Sequence, residues 1–327
     1  MKRLLTILLG LITSLGCLFA CACAPKIEGT FSVVAPDGAP ALAIAKFIND
    51  GEDFDTDATF NYSVVSSTAI NGAIVNSAAD FVVMPVNAAT KLYTNNGKED
   101  YYMAAVLTHG NFYVMSKSDI DTPQDLIGRV VFVPNRGKVP DWTFKAALKG
   151  LGIEYVDSDQ PVSGKVAIKY FESPAQFNPQ LIANPQAVGL VPEPAVSVLK
   201  GKGVNVVLDL QVMFDQENAA YPQAVLMVKK SVADKYPNLI EKMAAKFNDN
   251  VTWVKTNPSA AVQAVKGKFE TSTLNAETIT TATIDGCKIS WQSAKDAKAQ
   301  VNAYIERIRE VNPAAASVVT DQFFYQG

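Results

Sequence analysis

Few residues in this sequence have a type and spacing suited to covalent chemistry. His109 is the only histidine, and three of the four cysteines lie within the first 23 residues, which leaves Cys287 alone in the rest of the chain. A nucleophile needs a neighbouring base, and neither a Gly-x-Ser-x-Gly elbow nor a histidine close to Cys287 is present. Metal-ligand spacings and the glycine-rich nucleotide motifs are also missing from the sequence. The sequence therefore favours non-covalent binding over catalysis, without a metal or a cofactor.

One stretch, Gly128 to Gly152, has the arrangement of a ligand-binding corner. A predicted apolar strand that ends at Val133 is followed by a polar loop and by a helix that begins at Val139-Pro140-Asp141. Proline suits the first helical turn because its missing N–H would be unpaired there, and Asp141 suits the positive end of the helix dipole. Open α/β sheets hold small ligands beyond their strand ends and at helix N-termini. A corner of this kind is also ordinary architecture, so it indicates a binding site only together with other features.

Length and charge exclude several classes of function. The 327 residues are enough for two domains, and the 48% apolar and 19% charged residues indicate a globular chain. The formal net charge is −3, and it becomes −5 without Lys2 and Arg3, from 27 basic and 32 acidic side chains. Nucleic acid is not an expected partner, because the chain is slightly acidic and has no basic run.

The N-terminus has the pattern of an export signal. Lys2-Arg3 precedes an apolar segment that reaches Leu15, and Leu18-Phe19-Ala20-Cys21 follows. The ending resembles the bacterial lipobox, in which the cysteine is acylated and becomes the first residue of the mature protein. We therefore expect a lipoprotein signal peptide over 1–20, a lipid on Cys21 and a tether over 21–29.

Other interpretations of the same segment remain open. Cys17 and Cys23 are alternative acylation sites, and the apolar run from Leu4 to Ala24 is long enough for a transmembrane anchor. Each interpretation places the folded part of the chain outside the cytoplasm. Removal of the leader would leave Cys287 without an intrachain disulfide partner, and we expect it to be a small core residue.

The remaining chain alternates between predicted strands and helices in two α/β blocks. The predicted strands are Thr30–Ala35, Thr59–Val65, Phe81–Met84, Tyr101–Leu107 and Phe112–Met115, then Arg129–Val133, Lys165–Phe171, Ala187–Val191 and Val204–Leu210, and finally Ala224–Val228. The rest of the C-terminal part is predicted to be helical.

Two segments, 81–88 and 188–195, follow the same plan of apolar strand, proline and helix. They predict two similar lobes that face each other, one formed by 30–108 with 218–327 and the other by 109–217. The crossings between the lobes are predicted at 108–111 and 209–221.

Four motifs occur in order along the chain. They are Ala35-Pro36-Asp37-Gly38-Ala39-Pro40, Ala79-Asp80-Phe81-Val82-Val83-Met84-Pro85, Gly137-Lys138-Val139-Pro140-Asp141 and Val191-Pro192-Glu193-Pro194. Over nearly all of the mature chain this series resembles the periplasmic-type substrate-binding proteins of ABC importers, in particular the nitrate, sulfonate and thiamine-precursor group (SsuA-, TauA- and ThiY-like proteins). The resemblance implies an α/β, two-lobed periplasmic binding protein fold (type II). Each lobe would be a mixed sheet flanked by helices, with a helical C-terminal region.

The resemblance and the predicted strand ends together imply a set of residues at or near a cleft between the lobes: Asp37, Gly38, Ser67, Thr68, Asn87, Asn111, Pro140, Asp141, Trp142, Glu193 and Tyr221. Lys138-Val139 stands where many relatives have Gly-Ser or Ser-Thr, which removes a hydroxyl suited to an oxyanion. Together with Trp142 and Glu193, this favours an aromatic or nitrogen-heterocyclic ligand of the thiamine-precursor kind over sulfonate or nitrate.

Several of these side chains have a structural alternative. Ser67 and Thr68 can cap a helix, with or without a ligand contact. Trp142 can stack on a flat ligand or belong to the core. Glu193 can accept a hydrogen bond from a ligand N–H or only interact favourably with the helix dipole. His109 can reach the cleft or serve as a hydrogen-bonded structural residue.

The sequence as a whole predicts a lipid-anchored receptor for a small organic molecule. Its expected partners are an ABC permease and ATPase and, through the lipid, the membrane, and we expect a monomer. Two other functions remain open: an enzyme of pyrimidine biosynthesis on the same fold, which would need a reactive His or Cys cluster, and a sensor or adhesin ectodomain without a transporter.

Overall fold

Two six-stranded mixed sheets form the framework of the protein in a computed structural model, which describes residues 25–66, 69–70, 79–94 and 100–327. In spatial order the first sheet contains β12 (Ile289–Ser293), β4 (Tyr101–His109), β11 (Pro222–Lys229), β3 (Phe81–Pro85), β1 (Glu28–Pro36) and β2 (Asp57–Val65). The second contains β10 (Asn205–Asp209), β5 (Phe112–Ser116), β9 (Val188–Pro192), β6 (Val130–Pro134), β8 (Val166–Phe171) and β7 (Tyr155–Asp157).

The parallel strands of each sheet end at the same edge. In the first sheet β1 pairs in parallel with β2 and β3, and Pro36 lies opposite Val65. In the second, β6 pairs in parallel with β8 and β9, and Pro134 lies opposite Phe171. The central strands β3 and β9 are buried on both faces, as their continuous apolar sequences predict.

Helices cover both faces of the two sheets. They are α1 (Ala39–Leu42), α2 (Ala45–Asp50), α3 (Val86–Thr94), α4 (Val139–Gly150), α5 (Asn178–Ala183), α6 (Ala195–Lys200), α7 (Leu210–Phe214), α8 (Lys230–Lys235), α9 (Pro237–Thr256), α10 (Pro258–Lys268), α11 (Thr281–Gly286) and α12 (Ala294–Val311). Short 3₁₀ turns occupy Pro123–Leu126, Pro174–Gln176 and Asp321–Phe323. Among the described residues, none of the helices combines the length and apolar character needed to span a bilayer.

The hydrophobic core continues from one sheet to the other through α12. One cluster of buried side chains joins the facing sides of both sheets and includes Tyr221 and Tyr304, while two further clusters fill the opposite sides. Helix α12 also bonds to α4 of the second sheet, since the hydroxyls of Thr143 and Tyr304 lie 2.8 Å apart and Lys149 Nζ donates to the Glu310 carbonyl at 3.1 Å.

The fold class expected from the sequence, two α/β lobes each built on a mixed sheet, is therefore confirmed. The lobe boundaries at 108/109 and 217/218 stay a prediction, and α12 lies against both sheets. The prediction of a purely helical segment after Val228 was wrong, because β12 completes the first sheet. β12 is a five-residue edge strand whose one partner among the described strands is β4, and it is too short for its period to be recognised.

Candidate ligand-binding site

Asn111 lies where the chain first crosses between the lobes, and it bonds to both of them. Its backbone N–H donates to Gln223 Oε1 of β11 at 3.1 Å, and its carbonyl accepts the N–H of Glu193 at 3.0 Å. Its amide Nδ2 donates to the Glu193 carbonyl at 3.4 Å. Asn111 is 1% exposed, and its Oδ1 has no hydrogen-bond partner among the described residues. A buried acceptor without a partner is costly unless water or a ligand supplies the donor.

Tyr221 lies at the second crossing and is bonded to the first, because its carbonyl accepts the Gly110 N–H at 2.8 Å. Its ring stacks on that of Tyr304, with centroids 5.5 Å apart, and packs against Phe214. A Cβ on Gly110 would lie 2.3 Å from Tyr221 Cζ, so only glycine fits there. The Tyr221 hydroxyl is fully buried and lacks a partner within the described part of the chain, and burial raises its pKa. Each of the two crossings therefore contributes one buried polar atom without a partner among the described residues.

Glu193 follows β9 and is held by its own lobe. Its side chain bends to the start of α6, where Oε2 accepts the Ser197 N–H at 3.1 Å and Oε1 accepts the Ser197 hydroxyl at 3.0 Å. Burial raises the pKa of this carboxyl, and the Ser197 bonds and the charge of Lys200 oppose that rise. The Ser197 contact supports the structural alternative for Glu193. Glu193 and Ser197 are four residues apart at the start of a helix, a spacing that can be recognised in the sequence.

Asp141 is 1% exposed and is surrounded by partners from the second lobe. Its Oδ2 accepts the Gly137 N–H at 2.8 Å, and its Oδ1 accepts the Tyr170 hydroxyl at 2.8 Å and lies 3.2 Å from Lys145 Nζ. Burial first, and then the charge of Asp141, raise the pKa of Tyr170. The carboxylate therefore fixes the loop before α4 to that helix and to β8.

Trp142 and Pro140 occupy the first turn of the same helix. Pro140 is buried, whereas Trp142 is half-buried and packs against the core that both sheets share. The ammonium group of Lys145 lies 5.8 Å from the Trp142 ring and 5.3 Å from the Tyr170 ring. Trp142 thus has core contacts and an exposed portion, so stacking on a ligand stays a prediction.

On the first lobe, Asp37 and Asn87 bind distant parts of the C-terminal region. The Asp37 carboxylate accepts the Ser272 hydroxyl at 2.5 Å and the Thr273 N–H at 2.8 Å. The Asn87 amide donates to the Ala315 carbonyl at 3.1 Å. Gly38 has a φ of 99°, which favours glycine and allows the sharp turn into α1. These partners lie 228 to 236 residues away along the chain, so no local pattern could identify them.

The other residues singled out in the sequence are hydrogen-bonded or buried, or lie outside the described ranges. His109 Nε2 lies 3.0 Å from Gln292 Oε1 and its Nδ1 lies 3.3 Å from Ser290 Oγ, as expected of a hydrogen-bonded structural histidine. Cys287 is buried, and burial raises the pKa of its thiol. Ser67, Thr68 and Cys21 lie outside the described residues.

Two depressions and one acidic group lie away from the crossings. A cavity of about 260 Å³ beside Lys26 and Tyr236 belongs to the first lobe, and one of about 400 Å³ beside Lys149 and Tyr155 belongs to the second. Neither is lined by Asn111, Glu193 or Tyr221. The carboxylates of Glu52, Asp53 and Asp55 are close enough to hold a cation, but Lys246 pairs with Asp55 at 3.1 Å. The candidate site therefore rests on the crossings and the strand ends.

Several solved structures share the fold of this chain. The chain is similar to an ABC transporter from Parabacteroides distasonis, with 18% identity, a TM-score of 0.71 and coverage of 92% of this chain and 99% of the other. It is similar to the periplasmic aliphatic sulphonate binding protein SsuA from Escherichia coli, with 14% identity, a TM-score of 0.67 and coverage of 91% and 92%. A Candida albicans protein that exhibits the generic periplasmic binding protein fold has 9% identity, a TM-score of 0.53 and coverage of 91% and 93%.

The chain therefore has the periplasmic binding protein fold, in which two lobes face each other across paired crossings. No protein-family model and no curated protein sequence matches it.

Proposed function

We propose that this chain is an extracytoplasmic solute-binding lipoprotein, anchored through Cys21, which captures a small organic molecule between its lobes and delivers it to an ABC permease. The observation that carries the proposal is the pair of unsatisfied polar atoms, Asn111 Oδ1 and the Tyr221 hydroxyl, at the crossings between two similar lobes. A ligand that reaches both lobes stabilises the closed arrangement by the contacts it makes only there.

The polar groups at the crossings favour a ligand that donates a hydrogen bond. Asn111 Oδ1 can only accept, while the carboxylates of Glu193 and Asp141 already receive bonds from their own lobe. An aromatic or nitrogen-heterocyclic molecule with an N–H group meets this requirement. A sulfonate is the second candidate, because the similar Escherichia coli protein is named for aliphatic sulphonate binding.

The proposal can be tested by a thermal-shift screen of pyrimidines, thiamine precursors, aromatic acids, sulfonates and nitrate. A ligand should raise the melting temperature of the native protein. Asn111→Ala should remove most of the shift, since a lost hydrogen bond to a buried group weakens binding by about 1–3 kcal/mol. Asn205→Ala, at an exposed position of β10, is the matched control and should keep the full shift.

Asn111→Asp separates the two ligand classes. It keeps an acceptor at Oδ1 for an N–H donor, although it loses the Nδ2 bond to the Glu193 carbonyl, and it places a negative charge near any oxyanion. The variant should therefore bind a heterocycle more tightly than a sulfonate. If the native protein responds to none of these compounds, or if Asn111→Ala leaves the shift of a bound compound unchanged, the proposed site is wrong.

A further inference from the structure

The backbone conformation of Gly286, the last residue of α11, does not itself require glycine. Its φ lies outside the left-handed region, so any L-residue can adopt this conformation. A Cβ at this position would lie 2.8 Å from Cγ and from Oε1 of Glu193 and 3.1 Å from Cδ, closer than side chains approach each other. The space that a side chain at 286 would need is therefore occupied by a residue of the other sheet's lobe.

Helix α11 is attached to the first lobe. Lys255 of α9 forms an ion pair with Asp285 at 2.8 Å, and its carbonyl accepts the Thr281 hydroxyl at 2.9 Å. Ile284 and Cys287 are buried in the cluster that covers the outer side of the first sheet. Gly286 must therefore move together with the first lobe.

Glu193 is attached equally firmly to the second lobe. Both of its carboxylate oxygens accept bonds from Ser197, and its backbone N–H donates to the Asn111 carbonyl. A methyl group at 286 requires the Glu193 side chain to shift, which strains its bonds to Ser197, or requires the two lobes to move apart.

We propose that Gly286 and Glu193 form the stop at which the two lobes meet, and that glycine at 286 sets how closely they approach. This inference rests on the proposed function, because it concerns closure around a ligand. The contact lies beside the crossing at Asn111, because the Glu193 N–H donates to the Asn111 carbonyl, so a small displacement there corresponds to a larger one at the outer rim of the cleft. Gly286 thus controls ligand affinity without contacting the ligand.

Cys287 provides a reporter of this contact that needs no ligand. The thiol is fully buried directly after Gly286, and Glu193 is close enough to act on it electrostatically. In the full-length chain with serine in place of Cys17, Cys21 and Cys23, it is the only thiol. Its rate of modification by a maleimide at fixed pH measures how often the packing around the end of α11, which includes the contact with Glu193, opens.

The test compares Gly286→Ala with Gly267→Ala, a helical glycine around which a Cβ would meet no atom within 4 Å. We expect Gly286→Ala to accelerate modification of Cys287 by roughly 5- to 150-fold, the effect of one over-packed methyl group. Gly267→Ala should leave the rate unchanged.

The double variant Gly286→Ala/Glu193→Ala separates lobe contact from damage to α11. Removing the Glu193 side chain frees the space, so the rate should return to that of Glu193→Ala alone. An unchanged rate in Gly286→Ala, or a double variant as reactive as Gly286→Ala, would overturn the inference. Both readouts are independent of any ligand, so a failed ligand screen would contradict the proposed function and leave this result standing.

Discussion

Replacing Asp141 by alanine tests whether this carboxylate is structural. The side chain is 1% exposed and accepts bonds from the Gly137 N–H and the Tyr170 hydroxyl, and it lies 3.2 Å from the ammonium of Lys145. Because the Lys145 side chain is itself only 11% exposed, solvent screening of this pair is weak. Removing one partner of a buried ion pair costs about 3–5 kcal/mol. We expect Asp141→Ala to lower the free energy of unfolding by that amount.

Asp296 provides the matched control. It occupies the third residue of α12, the position that Asp141 occupies in α4, and accepts a bond from the Ser293 hydroxyl, but it is exposed. Asp296→Ala therefore loses only the dipole contribution and a surface bond, about 0.3–1 kcal/mol. Urea unfolding followed by far-UV circular dichroism measures both variants.

A double-mutant cycle with Lys145→Met refines the test. Loss of the ammonium should offset part of the damage, with a coupling of about 0.5–3 kcal/mol. The reason is that Asp141→Ala leaves Lys145 with Asp157, 3.5 Å away, as its one remaining acidic partner among the described residues. If Asp141→Ala destabilises the protein no more than Asp296→Ala, the carboxylate is not held as described. It would then be free to bind a ligand.

Two further predictions concern the crossings. Gly110→Ala should destabilise the protein by about 1–3 kcal/mol or more in urea unfolding, because its methyl group would overlap the stacked Tyr221 ring, whereas Gly267→Ala should be neutral or stabilising. Burial lowers the pKa of His109 below its usual 6.5, and the hydrogen bond to Gln292 opposes this shift. The neutral imidazole therefore contributes to stability above pH 6.5, and this contribution is lost as the pH falls through the lowered pKa. In His109→Gln the free energy of unfolding should therefore depend less on pH below pH 6.5. A pH profile identical to that of the native protein would contradict this.

The sequence predicted the elements whose signals are local. β3 and β9 were identified by their continuous apolar runs, and the start of α4 by Pro140 and Asp141, since these patterns depend on neighbouring residues. The placement of Asn111 and Tyr221 at the crossings followed from the order of the strands.

The partners of these residues could not be predicted in the same way. Asp37 binds Thr273, which lies 236 residues further along the chain, and Asp141 meets Tyr170 only because β6 and β8 pair in parallel. The contact between Gly286 and Glu193 depends on the packing of α11 against α6, two short helices from different lobes. Such contacts are set by tertiary packing, which has no local period in the sequence.

The hydrogen-bond partners of the three acidic candidate residues constrain the chemistry of the ligand. Asp37 and Glu193 directly follow strand ends and Asp141 lies in the first turn of α4, places where a carboxylate could meet a cation. Each of them nevertheless accepts hydrogen bonds from its own lobe. A carboxylate with these partners has already exchanged its hydration for protein donors, so binding a cation would require it to give up bonds. Among the described residues, the unsatisfied polar atoms at the crossings are neutral. We therefore expect recognition by neutral hydrogen bonds and aromatic contact, and an uncharged ligand to bind more tightly than a cationic analogue of the same shape.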